Sequence, residues 1–81
     1  MAGHNAAPPP LSIEAARVLE RMRDGLILIG NLGDYGRDFR LMQRGAENWE
    51  NVRYGTVEEL SNAGHIRARA AAGNQMEYET L

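Results

Sequence analysis

Residues 66–80 have the sequence IRARAAAGNQMEYET. Apolar or small residues alternate with arginines in its first part and with glutamates in its last part. Such alternation is typical of β-strands that bury one face. A five-residue loop between the two parts places Arg69 opposite Glu77 and Arg67 opposite Glu79. Opposite charges on facing strands stabilise a register by about 0.2–1 kcal/mol per pair, so the sequence predicts an antiparallel hairpin here.

A first helix is predicted near the start of the chain. Ser12 is a good N-cap, the helix runs to about Asp24, and Gly25 provides a left-handed stop. The apolar residues of this segment recur at helical spacing and form one stripe, which consists of Leu11, Ala15, Val18, Leu19 and Met22.

A second, shorter helix is predicted immediately before the hairpin. The sequence TVEE at 56–59 fits a capping box, in which Thr56 and Glu59 satisfy each other's backbone donors. The helix therefore starts at Thr56, or at Tyr54 if the boundary lies earlier, and Gly64 ends it.

Two more strands are predicted between the helices. Residues 26–29 are apolar, branched and too few for a helix, which indicates a buried strand. Residues 39–44 alternate and return antiparallel to it. The glycine-punctuated residues 30–36 are expected to form a wide hairpin loop, and the polar residues 43–51 a second loop.

These elements predict a small single-domain α+β protein with the order α-β-β-α-β-β, in which two helices pack on antiparallel strands. Residues 1–10, with a proline triplet, are expected to form a flexible arm, and residues 11–81 the domain. The predicted core consists of Leu11, Val18, Leu19, Met22, Leu26, Leu28, Phe39, Leu41, Val57, Leu60, Ile66 and Tyr78.

Composition excludes several classes of chemistry. The 81 residues contain no cysteine, which removes disulfides, thiolate nucleophiles and cysteine-ligated metals. The longest apolar run, residues 26–29, is far shorter than the roughly 20 residues of a membrane span. We therefore expect a cytoplasmic protein that does not contact membranes.

No catalytic, metal or cofactor site is predicted. The glycines of residues 30–36 have G-x-x-G-x-x-G spacing, with no lysine or helix after them, so they do not resemble a phosphate-binding loop. His4 and His65 alone do not supply the three or four ligands of a zinc site, although carboxylates could complete a weak one. Glu58 and Glu59 point about 100° apart on a helix, so they do not form an acid–base pair. We expect a protein that is not an enzyme.

Residues 52–66 resemble the helix-then-wing part of small winged-helix proteins, which implies DNA binding. Two features oppose that function here. No helix is predicted just before the candidate recognition helix, where a helix-turn-helix motif needs one. Residues 46–65 also carry one arginine against four glutamates, and duplex DNA would repel such a segment.

The same acidity suits a basic protein surface. Aromatic side chains supply anchor area, and carboxylates pair with the partner's cations. The residues predicted to bind such a partner are Asp34, Tyr35, Asp38, Glu47, Trp49, Glu50, Glu58 and Glu59. The alternative is that Trp49 completes the core and that the glutamates are a solvated face.

In its size, its acidic segment and its lack of a catalytic set, the chain resembles the small phage-encoded anti-CRISPR proteins. That resemblance implies an inhibitor that occludes a DNA-binding surface of a CRISPR surveillance complex in the host cytoplasm, with no direct nucleic-acid binding of its own. A regulator that contacts DNA through Arg37, Arg40, Arg44, Arg67 and Arg69 is the alternative function. A structural virion or assembly protein is a third, and the sequence leaves the oligomeric state open.

Overall fold

The computed structural model describes residues 10–33, 36–70 and 73–81, so most of the predicted arm lies outside it. The elements are α1 (Ile13–Arg23), β1 (Ile27–Gly33), β2 (Gly36–Met42), β3 (Glu50–Val52), α2 (Tyr54–Asn62), β4 (Ile66–Ala70) and β5 (Gln75–Thr80). All strands join one antiparallel sheet in the order β3-β2-β1-β5-β4. The predicted α+β class is confirmed.

Helix α1 begins and ends as predicted. The Ser12 hydroxyl accepts a hydrogen bond from the Ala15 backbone N–H at 3.1 Å, which satisfies one of the free donors of the first turn. Asp24 is the C-cap, and Gly25 follows it with a φ of 113°, a conformation that favours glycine.

The prediction of a capping box in α2 is wrong. The helix starts at Tyr54, its N-cap is Arg53, and Arg53 makes no side-chain capping bond. Thr56 lies inside the first turn and is buried. Glu59 is therefore not the third residue of this helix, and its carboxylate is directed to the start of α1 instead.

The predicted wide loop over 30–36 is also wrong, because β1 continues to Gly33 and β2 resumes at Gly36. Gly30 is a strand residue that pairs with Phe39. A Cβ on Gly30 would lie 3.0 Å from the Phe39 ring, so this glycine allows the ring to approach the backbone and does not mark a turn.

The predicted loop over 43–51 ends in a strand that the sequence analysis did not identify. Strand β3 pairs Val52 with Phe39 and Glu50 with Leu41 at the edge of the sheet. The observed order is thus α-β-β-β-α-β-β. A three-residue strand with one buried apolar residue is too short for alternation to reveal.

The core lies between the two helices and one face of the sheet. Nine of the twelve predicted core residues are buried there, and Leu11, Leu26 and Tyr78 pack against them half-buried. The β4–β5 register is as predicted, with Arg69 opposite Glu77 and Arg67 opposite Glu79.

No element of the described ranges covers the other face of the sheet. We call this the open face. The strand registers assign to it Ile27, Ile29, Asn31, Asp38, Arg40, Met42, Asn51, Arg67, Arg69, Gln75, Glu77 and Glu79.

Candidate protein-binding surface

Glu59 lies where α2 meets the N-terminus of α1. Its carboxylate accepts hydrogen bonds from the Ser12 backbone N–H at 2.7 Å and from the Ser12 hydroxyl at 2.8 Å. These bonds hold the pKa of Glu59 below its usual range, since they stabilise the charged form. A negative charge at a helix N-terminus is also favourable. Glu59 therefore joins the two helices.

Glu50 is neutralised within the fold. The Arg17 guanidinium donates to both carboxylate oxygens of Glu50 and, at 3.0 Å, to Glu14. The bonds from Arg17 hold the pKa of Glu50 below its usual range. This cluster connects edge strand β3 to α1. The charge of Glu50 is therefore already paired within the fold, which opposes the prediction that Glu50 binds a partner.

Glu58 and Tyr54 lie one turn apart on the exposed side of α2. The Tyr54 hydroxyl donates to the Glu58 carboxylate at 3.4 Å. Tyr54 is 47% exposed as a residue. Its ring stacks on Phe39 at 5.8 Å between centroids, and the Arg37 guanidinium lies 4.8 Å from the ring centroid. Tyr54 is thus contacted by both side chains and still about half exposed.

Trp49 and Asp38 share Arg40 on the open face. The Arg40 guanidinium lies 4.2 Å from the centroid of the Trp49 ring and donates to Asp38 at 2.6 Å. Trp49 remains 47% exposed, so it does not complete the core. Glu47 lies nearby in the loop between β2 and β3, where it lines, with Trp49 and Arg21, a groove of about 400 Å³.

The structure does not gather the predicted residues into one patch. Asp38 and Trp49 lie on the open face, Glu47 in the β2–β3 loop, Glu50 against α1, and Glu58 and Glu59 on α2. Asp34 and Tyr35 lie outside the described residues.

The predicted binding residues do not include Tyr54, although the acidic segment carries it together with Trp49. The signal for it was its spacing of four residues from Glu58, which places both on one side of a helix.

The arginines of the DNA-binding alternative are mostly paired with carboxylates. Arg40 pairs with Asp38, Arg44 with Glu77 at 3.0 Å, and both Arg67 and Arg69 pair with Glu79, at 2.5 Å and 3.5 Å. Arg37 lies over Tyr54. The helix-then-hairpin order of a winged helix is present, but strand β3 precedes α2 where a helix-turn-helix motif needs a helix.

Within the described part of the chain, no group of three or more His, Asp or Glu side chains is placed to hold a metal ion. No helix among these residues has the length and apolar character needed to cross a membrane. Comparison with protein-family models, curated proteins and solved structures finds no match to this chain.

Proposed function

We propose that this chain is a non-enzymatic inhibitor that binds, through the exposed side of α2, a basic protein surface that otherwise receives nucleic acid. Its most specific form is an anti-CRISPR activity, in which that surface belongs to a CRISPR surveillance complex. One observation carries the proposal: four of the five arginines on which the DNA-binding alternative depends are paired with carboxylates, whereas α2 presents Glu58 to solvent.

The proposed recognition is electrostatic. Affinity for duplex DNA comes largely from arginines and lysines that neutralise phosphates. Helix α2 carries Glu58 and Glu59 and no basic residue. A protein surface rich in arginine or lysine, such as a nucleic-acid channel, is the complementary partner for such a helix.

Tyr54 provides the apolar part of the contact. Aromatic residues that are fixed in the free protein contribute strongly to interfaces, because little conformational entropy is lost on binding. The ring of Tyr54 is fixed by Phe39 and Arg37, and the residue as a whole is about half exposed. It is adjacent to Glu58, so an anchor and a charge lie side by side.

The test uses purified surveillance complexes of defined type and a gel-shift assay of their binding to target DNA. The wild-type chain should block that binding for the complex it inhibits. Glu58→Arg should raise the half-inhibiting concentration about tenfold, since about 1.4 kcal/mol is lost, and by more at low salt than at high salt. Glu20→Arg, the same charge change at an exposed position of α1, is the matched control and should inhibit like the wild type.

A second measurement addresses the alternative. The chain alone is titrated with random duplex DNA at several salt concentrations, and we expect no binding. Salt-dependent binding that is lost in Arg67→Ala and Arg69→Ala, with no effect on any surveillance complex, would replace the inhibitor with a DNA-binding regulator.

A further inference from the structure

The open face has an apolar centre. Ile27 and Ile29 on the middle strand, together with Met42 on β2, are half-buried there, and Trp49 lies at the margin. An antiparallel sheet can leave one face in solvent when that face is polar. Here the middle strand carries two isoleucines, and charged residues lie on either side of it.

One row across the sheet shows how the charges are arranged. The registers align Asn51, Arg40, Ile29, Glu77 and Arg69 side by side on β3, β2, β1, β5 and β4. A cation therefore lies on one side of the central isoleucine and an anion on the other. Each also has a partner within the chain: Arg40 donates to Asp38 through its Nε, which leaves its terminal nitrogens for a second carboxylate, and Glu77 accepts from Arg44 through one of its two oxygens. The Arg44–Glu77 ion pair joins the two sides across β1 and leaves the Arg44 side chain 70% exposed.

This row is complementary to itself. Two copies can stack face to face, about 10 Å apart, around a two-fold axis that runs either along the strands or across them. An axis along the strands places Arg40 against the partner's Glu77 and Ile29 against the partner's Ile29. An axis across the strands places Arg40 against the partner's Arg40. Charge therefore selects the first arrangement.

The same arrangement also gives contacts at the two edges of the open face. It brings β4 of one copy over β3 of the other. Arg67 and Arg69, whose side chains are 67% and 65% exposed, then lie over the region of Trp49. Arg40 of the same chain already lies over the Trp49 ring, so an arginine of the partner would make its cation–π contact with the part of Trp49 that stays exposed.

We propose that the open face binds a second copy of this chain, as a two-fold dimer with its axis along β1. Ile29 lies on the axis, and Arg40 and Glu77 form the two symmetric ion pairs beside it. The helices of both copies then face outwards.

The test is a complementation experiment followed by sedimentation velocity and native mass spectrometry. The wild type should be dimeric. Arg40→Glu and Glu77→Arg should each be monomeric. In either variant, residue 40 of one copy has the same charge as residue 77 of the other, and the two-fold axis repeats this repulsion at both contacts. An equal mixture of the two variants should form a heterodimer, since both of its cross pairs are then opposite in charge. A merely structural effect of either substitution cannot produce this recovery.

Arg23→Glu and Glu20→Arg on the exposed side of α1 are the matched controls, and both should remain dimeric. Should a single charge variant fail to fold by circular dichroism, Ile29→Glu replaces it, since it places two carboxylates on the axis and should be monomeric. A wild-type chain that is monomeric at every concentration overturns the proposal and leaves the open face to a different protein. A dimer that survives both charge reversals and Ile29→Glu overturns it as well.

Discussion

Glu59 shows how one carboxylate can organise two helices. It accepts two hydrogen bonds from Ser12, one from a backbone donor at the start of α1 that would otherwise have no partner in the helix. Because its pKa is lowered in the folded protein, the ionised form stabilises the fold. That contribution is present above the unfolded-state pKa of about 4.5 and is lost as the pH falls through the folded-state value.

Glu59→Gln is therefore expected to lower the melting temperature at neutral pH, because a neutral amide accepts the bonds from Ser12 less strongly. The difference from the wild type should shrink as the pH falls below about 4.5. Thermal denaturation, followed by circular dichroism between neutral and acid pH, measures this difference in melting temperature. Glu50 has a lowered pKa in both proteins, so its titration cancels in the comparison. A difference that stays constant with pH would contradict this role.

Gly30 and Gly55 make a matched pair for testing packing. Gly30→Ala places a Cβ 3.0 Å from the Phe39 ring, which Tyr54 and Tyr78 hold in place. We expect the free energy of unfolding to fall by about 1 kcal/mol. Overpacking costs about 1–3 kcal/mol, and removing a glycine from a strand returns about 0.5–1 kcal/mol. Urea denaturation measures the free energy of unfolding of this variant and of Gly55→Ala.

A Cβ at Gly55 meets nothing within 4 Å, and this residue lies in the first turn of α2. Gly55→Ala should therefore raise the free energy of unfolding by up to about 1 kcal/mol. If both substitutions change the free energy of unfolding equally, the Phe39 ring can move away from the added Cβ at no cost, and the packing role of Gly30 is wrong.

At the scale of elements, the sequence predicted those whose pattern repeats. Helix α1 has a cap, a stripe and a terminal glycine, and the β4–β5 hairpin has alternation together with opposite charges in register. Strand β3 has three residues and no repeat. Its position depends on the pairing of Val52 with Phe39 on β2 and on the ion pair of Glu50 with Arg17. Contacts so distant in sequence leave no local pattern.

Val52 is the residue that anchors β3, because it is the one buried side chain of this strand. Val52→Ala should lower the free energy of unfolding by about 2 kcal/mol, from lost apolar burial and the cavity left behind. It should also speed amide exchange in β3 more than in β1. Asn51→Ala, exposed on the same strand, is the control and should stay within about 0.5 kcal/mol of the wild type. Similar losses in the two variants would contradict the anchoring role.

The candidate site was less predictable than the fold. Net acidity over 46–65 can be counted from the sequence, but the partner of each charge cannot. Arg17 and Glu50 are 33 residues apart, as are Arg44 and Glu77, and both pairs form only when the sheet and α1 are assembled. Of the glutamates in that segment, Glu47 and Glu58 are exposed, and no arginine of the described residues comes within 4 Å of either carboxylate.

At the scale of the whole molecule, two different surfaces lie on opposite sides of one sheet. The helix side presents Tyr54 and Glu58, and the open face presents an apolar strand between rows of paired charges. A two-layer fold separates such surfaces by the thickness of the helix layer. A dimer joined through the open face therefore keeps both copies of α2 accessible, and each copy can hold one partner.

This separation predicts that the two surfaces respond independently to mutation. Glu58→Arg should leave the dimer dissociation constant unchanged in sedimentation equilibrium, since substitutions far apart with no shared partners have additive effects. Ile29→Glu should be monomeric and yet block DNA binding by an inhibited surveillance complex at one chain per site. If Glu58→Arg dissociates the dimer, the two copies meet through their helices, and the outward orientation of α2 is wrong. If Ile29→Glu is monomeric, folded and inactive, inhibition requires both copies on one target, because a single α2 surface is then too weak to displace DNA.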